Sequence, residues 1–345
     1  MKKYKKLFSF TLLLFISLGL ISCSKKEGSE PLSKTEYFMG TVVTVTLYDN
    51  QDEEIINKAF NRVKEIEELV SINTTGTELD AVNENAGIAP VKVSHDTFTI
   101  VKKGLEYSKL TDGYFDITVG PLVKLWSIGL PEAKVPTQAE IDESLRYIGY
   151  SDLELNEAEQ TIYLKKKGML IDLGGIAKGY TADEVATILK EEGVTKGIVD
   201  LGGNVYALGE KAENTPWKIG VQNPSETRGE IVGSLTLENK SIVTSGIYER
   251  FIEKDGKKYH HILSSFNGYP YENEIAGVTI ISDTSMDGDA LSTSVFAMGV
   301  DKGLEFINTQ KDIEAIFVTK DNKIYLSEGA QEIFKLTNTD FTIVN

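Results

Sequence analysis

Two Asp-Leu-Gly-Gly segments lie 28 residues apart in this chain, at Asp172–Gly175 and Asp200–Gly203. Each follows a short apolar run that predicts a strand, and a segment with helical spacing, Lys178 to Glu192, separates them. Paired glycines let the backbone approach a partner that a side chain would block. The first turn leads into the helix, whose free N–H groups and dipole favour an anion. The pattern predicts a site for a phosphate-bearing ligand; the alternative is two tight turns that only pack.

A carboxylate and a hydroxyl near the C-terminus form a second candidate site. Asp289 and Thr293 are four residues apart on a predicted helix and therefore share one face. Hard oxygen ligands suit Mg²⁺ or Ca²⁺ rather than zinc. One carboxylate is too few for a calcium cage but is enough for a Mg²⁺ ion that also binds substrate phosphates. The alternative is a solvated or helix-capping pair.

The chain has three histidines, His95, His260 and His261. The last two are neighbours on a predicted strand and therefore point to opposite faces, so they cannot jointly hold one metal. We expect one of them to face a site and the other to face solvent or the core. A histidine with a pKa near 6.5 can accept a proton at neutral pH, although a structural role is the alternative. His95 follows a predicted helix cap and is expected at the surface.

The N-terminus has the pattern of a bacterial lipoprotein. Residues 1–22 are predicted to be a signal peptide with four lysines and an apolar stretch of 15 residues. The only cysteine, Cys23, ends a Leu-Ile-Ser-Cys segment that resembles a lipobox, which predicts a lipid-anchored protein. Residues 23–35 are then the lipidated cysteine and a flexible tether, and 36–345 are the folded domain. An ordinary signal peptide with an incidental cysteine is the alternative.

The charge of the chain limits its partners. Loss of residues 1–22 would remove four lysines and no acidic residue, which takes the formal net charge from −16 to −20. A chain this acidic is a poor binder of nucleic acid. It also repels an anionic ligand, so a phosphate ligand requires a cation between ligand and protein.

The pattern of predicted elements indicates an α+β fold. Helices and mainly antiparallel strands mix without regular βα alternation, which predicts mixed sheets with flanking helices. Thr137 and Glu140 form a capping box before one helix, and Thr181 and Glu184 are a second candidate for the same motif. Lys254–Lys257 is predicted to be a hairpin turn. The run from Gly113 to Pro121 combines aromatics with a carboxylate that could hold a flat polar ring; the alternative is a strand that leads into a Gly-Pro turn.

Taken together, these segments resemble the ApbE family of flavin transferases (FAD:protein FMN transferases) from about Met39 to Gly299. The motifs that carry the resemblance are Met39–Thr41, Phe115–Leu122, Asp172–Tyr180, Asp200–Asn204, Thr244–Gly246, His261–Leu263 and Asp289–Thr293. The resemblance implies a T-fold-like architecture with an FAD cleft between two subdomains. It also implies Mg²⁺-dependent transfer of FMN from FAD, the substrate, to a Ser or Thr hydroxyl, with release of AMP. The acceptor would be an extracytoplasmic redox flavoprotein, and the enzyme a membrane-anchored lipoprotein facing the extracytoplasmic or periplasmic side.

The resemblance also assigns roles to residues. The carbonyl of Gly175 would hold the metal with Asp289 and Thr293, and His261 would be the general base. The residues that would contact FAD are Met39, Tyr114, Phe115, Asp116, Asp172, Lys178 and Leu263.

Two positions depart from the family pattern. Ser264-Ser265 stands where the family usually has Asp-Pro, which puts the rate in doubt if that Asp orients the base or the substrate. Asn73 stands on the FAD side of the site, where many members have an aromatic. Without that stacking surface water can reach the diphosphate, so we expect some hydrolysis of FAD to FMN and AMP beside transfer. An FAD pyrophosphatase and a flavin-binding lipoprotein without chemistry are the alternative functions.

Overall fold

The central element of the fold is a nine-stranded sheet. The computed structural model describes residues 30–227 and 229–344, so the predicted signal peptide, Cys23 and most of the predicted tether lie outside the described residues. The strands are β1 (Leu32–Phe38), β2 (Thr41–Leu47), β3 (Val91–Lys92), β4 (Leu153–Asn156), β5 (Thr161–Leu164), β6 (Gly197–Leu201), β7 (Asn204–Leu208), β8 (Trp217–Gln222), β9 (Ile231–Leu237), β10 (Lys240–Gly246), β11 (Phe251–Lys254), β12 (Lys257–His260), β13 (Ile275–Ser282), β14 (Glu314–Thr319), β15 (Lys323–Leu326), β16 (Phe334–Leu336) and β17 (Thr342–Ile343).

Helices connect and flank these strands. They are α1 (Glu53–Val70), α2 (Glu78–Glu84), α3 (His95–Leu110), α4 (Gly120–Trp126), α5 (Gln138–Leu145), α6 (Ala177–Glu191), α7 (Ser285–Met298), α8 (Val300–Asn308) and α9 (Ala330–Ile333), with a 3₁₀ turn at Tyr150–Asp152. None of the helices in the described ranges is both long and apolar enough to cross a membrane.

The large sheet has the order β1-β2-β6-β7-β10-β13-β14-β15-β17. Its neighbouring strands pair antiparallel except for β15 and β17, which are parallel. Smaller sheets are formed by β16-β9-β8, β3-β5-β4 and β11-β12. The predicted α+β class with mainly antiparallel sheets is therefore confirmed.

The two faces of the large sheet are covered differently. Alternate residues of β2 point to one face, where Val43, Val45 and Leu47 pack against apolar residues of α1 and α6. On the other face, Ile242 and Ile281 pack against the sheet of β8, β9 and β16. Helix α7 packs on β10 and β13, so the Asp289 helix is fixed against the middle of the sheet.

Local signals in the sequence placed several elements correctly. Thr137 and Glu140 make the reciprocal capping box, and Ser94, the residue before His95, is the predicted cap of α3. Lys254 pairs with Lys257 across a two-residue turn, as predicted.

Other local predictions were wrong. Thr181 lies inside α6 and donates to Ala177 O (2.8 Å), because this helix begins one turn earlier than a Thr181 cap allows. The apolar run before Asp172 forms only a bridge between Val119 and Leu170. The side chain of Asn83 takes the place of a neighbouring strand there, since its amide bonds both the N–H and the carbonyl of Ile171.

The domain boundaries also differ from expectation. The predicted tether reaches residue 35, but Leu32–Phe38 is strand β1, paired along its length with β2. The described residues from Pro31 onward form one compact unit rather than the two subdomains that the resemblance implied.

Candidate functional site

A cleft of about 620 Å³ opens in this unit between α6, α7 and the ends of β10 and β12. Its volume lies within the ~300–1,000 Å³ typical of small-molecule sites. All the candidate site residues that the structure describes line it: Met39, Asn73, Tyr114, Phe115, Asp116, Asp172, Gly175, Lys178, His261, Leu263, Asp289 and Thr293. Tertiary structure thus gathers residues from six separate segments into one place.

One end of the cleft is built by the close contact of α6 and α7. A Cβ atom on Gly179 would lie 2.3 Å from Ser285 O, so only glycine allows this approach. The N–H of Gly179 donates to Asp289 Oδ2 (2.9 Å) and fixes the carboxylate across the helix interface. Asp289 is 3% exposed, which leaves its other oxygen to the cleft rather than to bulk water.

Gly175 brings the first glycine turn to the same end. A Cβ atom there would lie 3.4 Å from Thr293 Oγ1 and 3.0 Å from the ring of Phe115. The turn itself is closed by Asp172, whose Oδ1 accepts from the N–H of Gly174 (3.0 Å). The glycine turn and the Asp289–Thr293 pair, which are more than 100 residues apart in sequence, therefore meet.

The oxygen atoms at this end of the cleft fit a divalent cation. They are one carboxylate, one hydroxyl and backbone carbonyls, a hard-oxygen set of the kind that Mg²⁺ takes together with phosphate oxygens. The ammonium of Lys178 lies 3.2 Å from Gly174 O and 3.3 Å from Asp289 Oδ1, so a cation is already placed among the same oxygens. The described residues contain no cluster of three or more acidic, His or Cys ligands, so a dedicated all-protein metal cage is not formed by them.

The two adjacent histidines have different surroundings. His260 is buried against the ring of Phe296, and both of its nitrogens are used: Nε2 donates to Tyr271 O (2.8 Å) and Nδ1 accepts from Ile262 N–H (3.3 Å). His261 lines the cleft, and its Nδ1 lies 3.3 Å from the carbonyl of Arg250. A carbonyl only accepts, so Nδ1 carries the proton and Nε2 keeps a free lone pair.

Burial and nearby cations keep His261 neutral. Desolvation, followed by the charge of Arg250, lowers the pKa of His261 to about 4. Desolvation also lowers the pKa of His260. Near neutral pH His261 is thus an unprotonated imidazole facing the cleft, the form that a general base requires.

The wall formed by Met39 is held in an unusual conformation. Met39 has φ 51°, a left-handed value that is uncommon for a residue other than glycine. Its N–H donates to Glu67 Oε1 (2.7 Å), which holds this turn against α1. Backbone in such regions persists where the surrounding structure fixes it, and this happens often at ligand sites.

Tyr114, which lines the cleft, belongs to a cluster of aromatic rings. Tyr114 stacks with Tyr271 at a centroid distance of 6.4 Å and meets Phe266 edge-on at a centroid distance of 5.3 Å. The ammonium of Lys302 lies over the ring of Tyr114, at a distance of 4.2 Å from its centroid. Phe266 is 57% exposed, so the cluster keeps apolar ring surface accessible. Such surfaces suit a flat aromatic ligand.

The two other acidic candidates are mainly engaged with the protein. Asp116 accepts from Thr118 N–H and Oγ1 and from Tyr150 N–H, and burial raises the pKa of its carboxyl group. Burial likewise raises the pKa of Asp172. Both carboxylates brace the loops that line the cleft.

The structure gives each departure from the family pattern a local setting. Ser264 Oγ accepts from the N–H groups of Phe266 (3.2 Å) and Asn267 (3.4 Å), which are bonds that an Asp side chain also makes in such a turn. Leu263, just before it, bridges to Pro270. Asn73 lies at the exposed rim of the cleft, beyond the end of α1.

Sequence reasoning assigned no role to several polar residues that line the cleft, and Lys124, Asn204 and Arg250 are among them. Lys124 Nζ donates to Ile72 O (2.7 Å), and Arg250 Nη2 donates to Gly40 O (3.3 Å). The acidic chain therefore places positive charge at the cleft. Only Asn204 had a sequence signal, because it directly follows the second glycine pair.

Comparison with known proteins places this architecture in a family. The ApbE family model matches residues 39–317. An FAD:protein FMN transferase of Klebsiella pneumoniae is 38% identical over 313 residues, covering 91% of this chain and 97% of that protein. One from Treponema pallidum is 30% identical and covers 96% of both chains.

Solved structures agree. The ApbE protein of Thermotoga maritima superposes with a TM-score of 0.81 at 32% identity, covering 88% of this chain and 99% of that one. The flavin transferase ApbE of Vibrio cholerae has a TM-score of 0.79 at 27% identity, with coverage of 89% and 100%. Fold and cleft thus define a protein of the flavin transferase type. The chain belongs to the ApbE family.

Proposed function

We propose that this protein is an FAD:protein FMN transferase, which moves FMN from FAD to a Ser or Thr hydroxyl of another protein and releases AMP. The observation that carries the proposal is the meeting of Gly175, Asp289 and Thr293 at one end of the cleft that also contains His261. Its relatives at full-length coverage are named for the same activity.

The chemistry is an exchange of one bond at phosphorus. The acceptor oxygen forms a bond to the phosphorus of the FMN half, the bond from that phosphorus to the bridging oxygen breaks, and AMP leaves. The hydroxyl proton moves to Nε2 of His261, whose lone pair is free. The carbonyl of Gly175 together with Asp289 and Thr293 would hold Mg²⁺, which when bound neutralises charge on the diphosphate oxygens.

A mass measurement tests the proposal. Purified protein, FAD, Mg²⁺ and a candidate acceptor domain are incubated, and the acceptor is weighed by mass spectrometry. A gain of one FMN less one water, with an equal amount of AMP, is expected. Bound FAD without any product would leave a flavin-binding lipoprotein as the function and would overturn the proposal.

Hydrolysis of FAD is a second candidate, favoured by the exposed position of Asn73 at the rim of the cleft. An amide there gives little apolar cover, so water can reach the diphosphate. Asn73→Tyr should therefore lower AMP release in the absence of an acceptor. Equal release from the parent and the variant would exclude this role for Asn73.

The cellular setting is a further part of the proposal. The lipobox at Cys23 and the basic, apolar segment before it favour a lipid anchor, and hence an enzyme that works on the extracytoplasmic side. Labelling with palmitate in cells should mark the parent and leave Cys23→Ala unlabelled. A parent that takes up no label would contradict the anchor.

A further inference from the structure

Asn204 has a buried amide nitrogen without a partner. In the part of the chain that the structure describes, two buried side-chain polar atoms lack a hydrogen bond, Asn204 Nδ2 and Ser285 Oγ. Only Asn204 lines the cleft, and its side chain and backbone together are 2% exposed. A buried donor without an acceptor costs free energy of folding, so we expect a molecule from outside the chain to accept its hydrogen bond.

The second glycine pair explains why Asn204 is held where it is. Gly202 and Gly203 have φ values of 61° and 103° and form a two-residue hairpin turn, across which Leu201 pairs with Asn204. A Cβ atom on Gly202 would lie 2.0 Å from Thr41 Oγ1, so this turn packs against the Met39–Thr41 segment. The second Asp-Leu-Gly-Gly segment therefore positions the residue that follows it.

Strand register places Asn204 at the end of the cleft where Asp289 and Thr293 lie. Asn204 lies opposite Val243 on β10, and directly opposed residues share a face of the sheet. A Cβ atom on Gly288 would lie 2.8 Å from Val243 Cγ2, so that face is covered by α7 at the residue before Asp289. Farther along β10, the hydroxyl of Ser245 lies 2.8 Å from that of Ser292, next to Thr293.

We infer that the Asn204 amide donates a hydrogen bond to a phosphate oxygen of the dinucleotide's diphosphate. The inference rests on the proposed function, which places a diphosphate beside Asp289 and Thr293. Lys178, which lines the cleft, is bonded to Asp289, whereas Asn204 is an uncommitted donor at this end. A donor that is already buried and fixed loses little freedom on binding, which favours a charged oxygen acceptor.

Asn204→Leu tests the inference because it removes the donor and keeps the number and branching of the side-chain heavy atoms. Binding of ADP, FAD and riboflavin is measured by calorimetry, and thermal unfolding is measured without ligand. Loss of a hydrogen bond to a charged group should weaken ADP and FAD binding by about tenfold or more and leave riboflavin binding unchanged. The ligand-free melting temperature should stay the same or rise, since a buried unpaired donor is lost.

Two further variants keep the test decisive. Asn204→Asp keeps the shape, replaces the donor by an acceptor and should also weaken ADP binding. Asn223→Leu is the matched control: Asn223 is 5% exposed, accepts from Ser225 N–H (3.0 Å) and lies outside the cleft lining, so this change should lower stability and spare ADP binding.

The outcomes separate the two proposals. Unchanged ADP and FAD affinity in both Asn204 variants, or an equal loss for riboflavin, overturns the inference even when the parent transfers FMN. A parent that binds ADP through Asn204 but never modifies an acceptor overturns the transferase proposal and leaves the contact in place.

Discussion

Gly179→Ala should push helix α6 away from helix α7 at the end of the cleft that contains Gly175 and Asp289. The added Cβ atom would lie 2.3 Å from Ser285 O and 2.6 Å from Met286 Cα, whereas ordinary contact begins at 3.4 Å. Helices α6 and α7 must therefore part by about 1 Å. Overpacking of this kind costs about 1–3 kcal/mol, and the better helix propensity of alanine returns about 1 kcal/mol. We expect a net destabilisation of about 0–2 kcal/mol, which leaves the protein folded.

The larger effect is expected on metal binding. The hydrogen bond from the N–H of Gly179 to Asp289 would be stretched, and Asp289 would move relative to Gly175. Mg²⁺ demands near-ideal octahedral geometry, and a 1 Å misplacement can cost roughly a hundredfold in rate. Urea unfolding and the Mg²⁺ dependence of FMN transfer measure the two effects separately. We expect transfer at a fixed, low Mg²⁺ concentration to fall about a hundredfold.

Gly233→Ala provides the control. Its Cβ atom would lie 2.5 Å from Lys335 O and 2.4 Å from the ring of Phe334, a similar clash in the small sheet away from the cleft lining. It should lower stability and leave the Mg²⁺ dependence unchanged. If Gly179→Ala loses stability but keeps the parent's Mg²⁺ titration, the helix contact does not set the metal geometry and the reasoning fails.

Three other changes test single groups. Asp289→Asn should lower FMN transfer at least about a hundredfold and weaken binding of Mn²⁺, followed by electron paramagnetic resonance, because the buried carboxylate is lost; undiminished turnover at ordinary Mg²⁺ would refute the metal site. His261→Ala should spare FAD binding and slow transfer by about 10²–10⁴-fold, while the surface change His95→Ala has no effect. In the parent, the low pKa of His261 predicts that the contribution of this group to the rate is constant above about pH 5 and falls as pH drops through about 4. Burial raises the pKa of Asp183 to about 6. As pH falls from 7 to 4, the parent should therefore gain stability relative to the Asp183→Asn variant.

The sign of the Asp183 effect follows from proton binding. Its folded-state pKa exceeds the ordinary 3.8, so between these values the native state binds more protons than the unfolded state. The charged form at neutral pH is therefore the costly one, by roughly 3 kcal/mol for a shift of this size. Chemical denaturation of the parent and the variant across this range measures the difference; a relative loss of stability at low pH would contradict the assignment.

His260→Ala tests whether His260 has a structural role. From the sequence, one of the two neighbouring histidines was expected to face solvent or the core. The structure buries His260 and commits both ring nitrogens, so its removal should lower stability while leaving the transfer rate per folded molecule unchanged. Separate measurements of unfolding and of transfer distinguish these effects.

Sequence alone determined the features that depend on local chemistry. The spacing of Asp289 and Thr293 puts them on one helix face, the alternation at His260 and His261 puts them on opposite faces, and the capping box at Thr137 starts its helix. Ordered motifs also identified the family. Such signals are readable because helix and strand periods fix which neighbours share a face.

Tertiary structure decided everything that depends on close approach between distant segments. It joined Gly175 to Thr293, turned the second glycine pair into a hairpin that packs on Thr41, and buried Asn204 without a partner. It also replaced an expected strand by the side chain of Asn83. These outcomes follow from packing and from hydrogen bonds between residues far apart in sequence, so no local pattern records them.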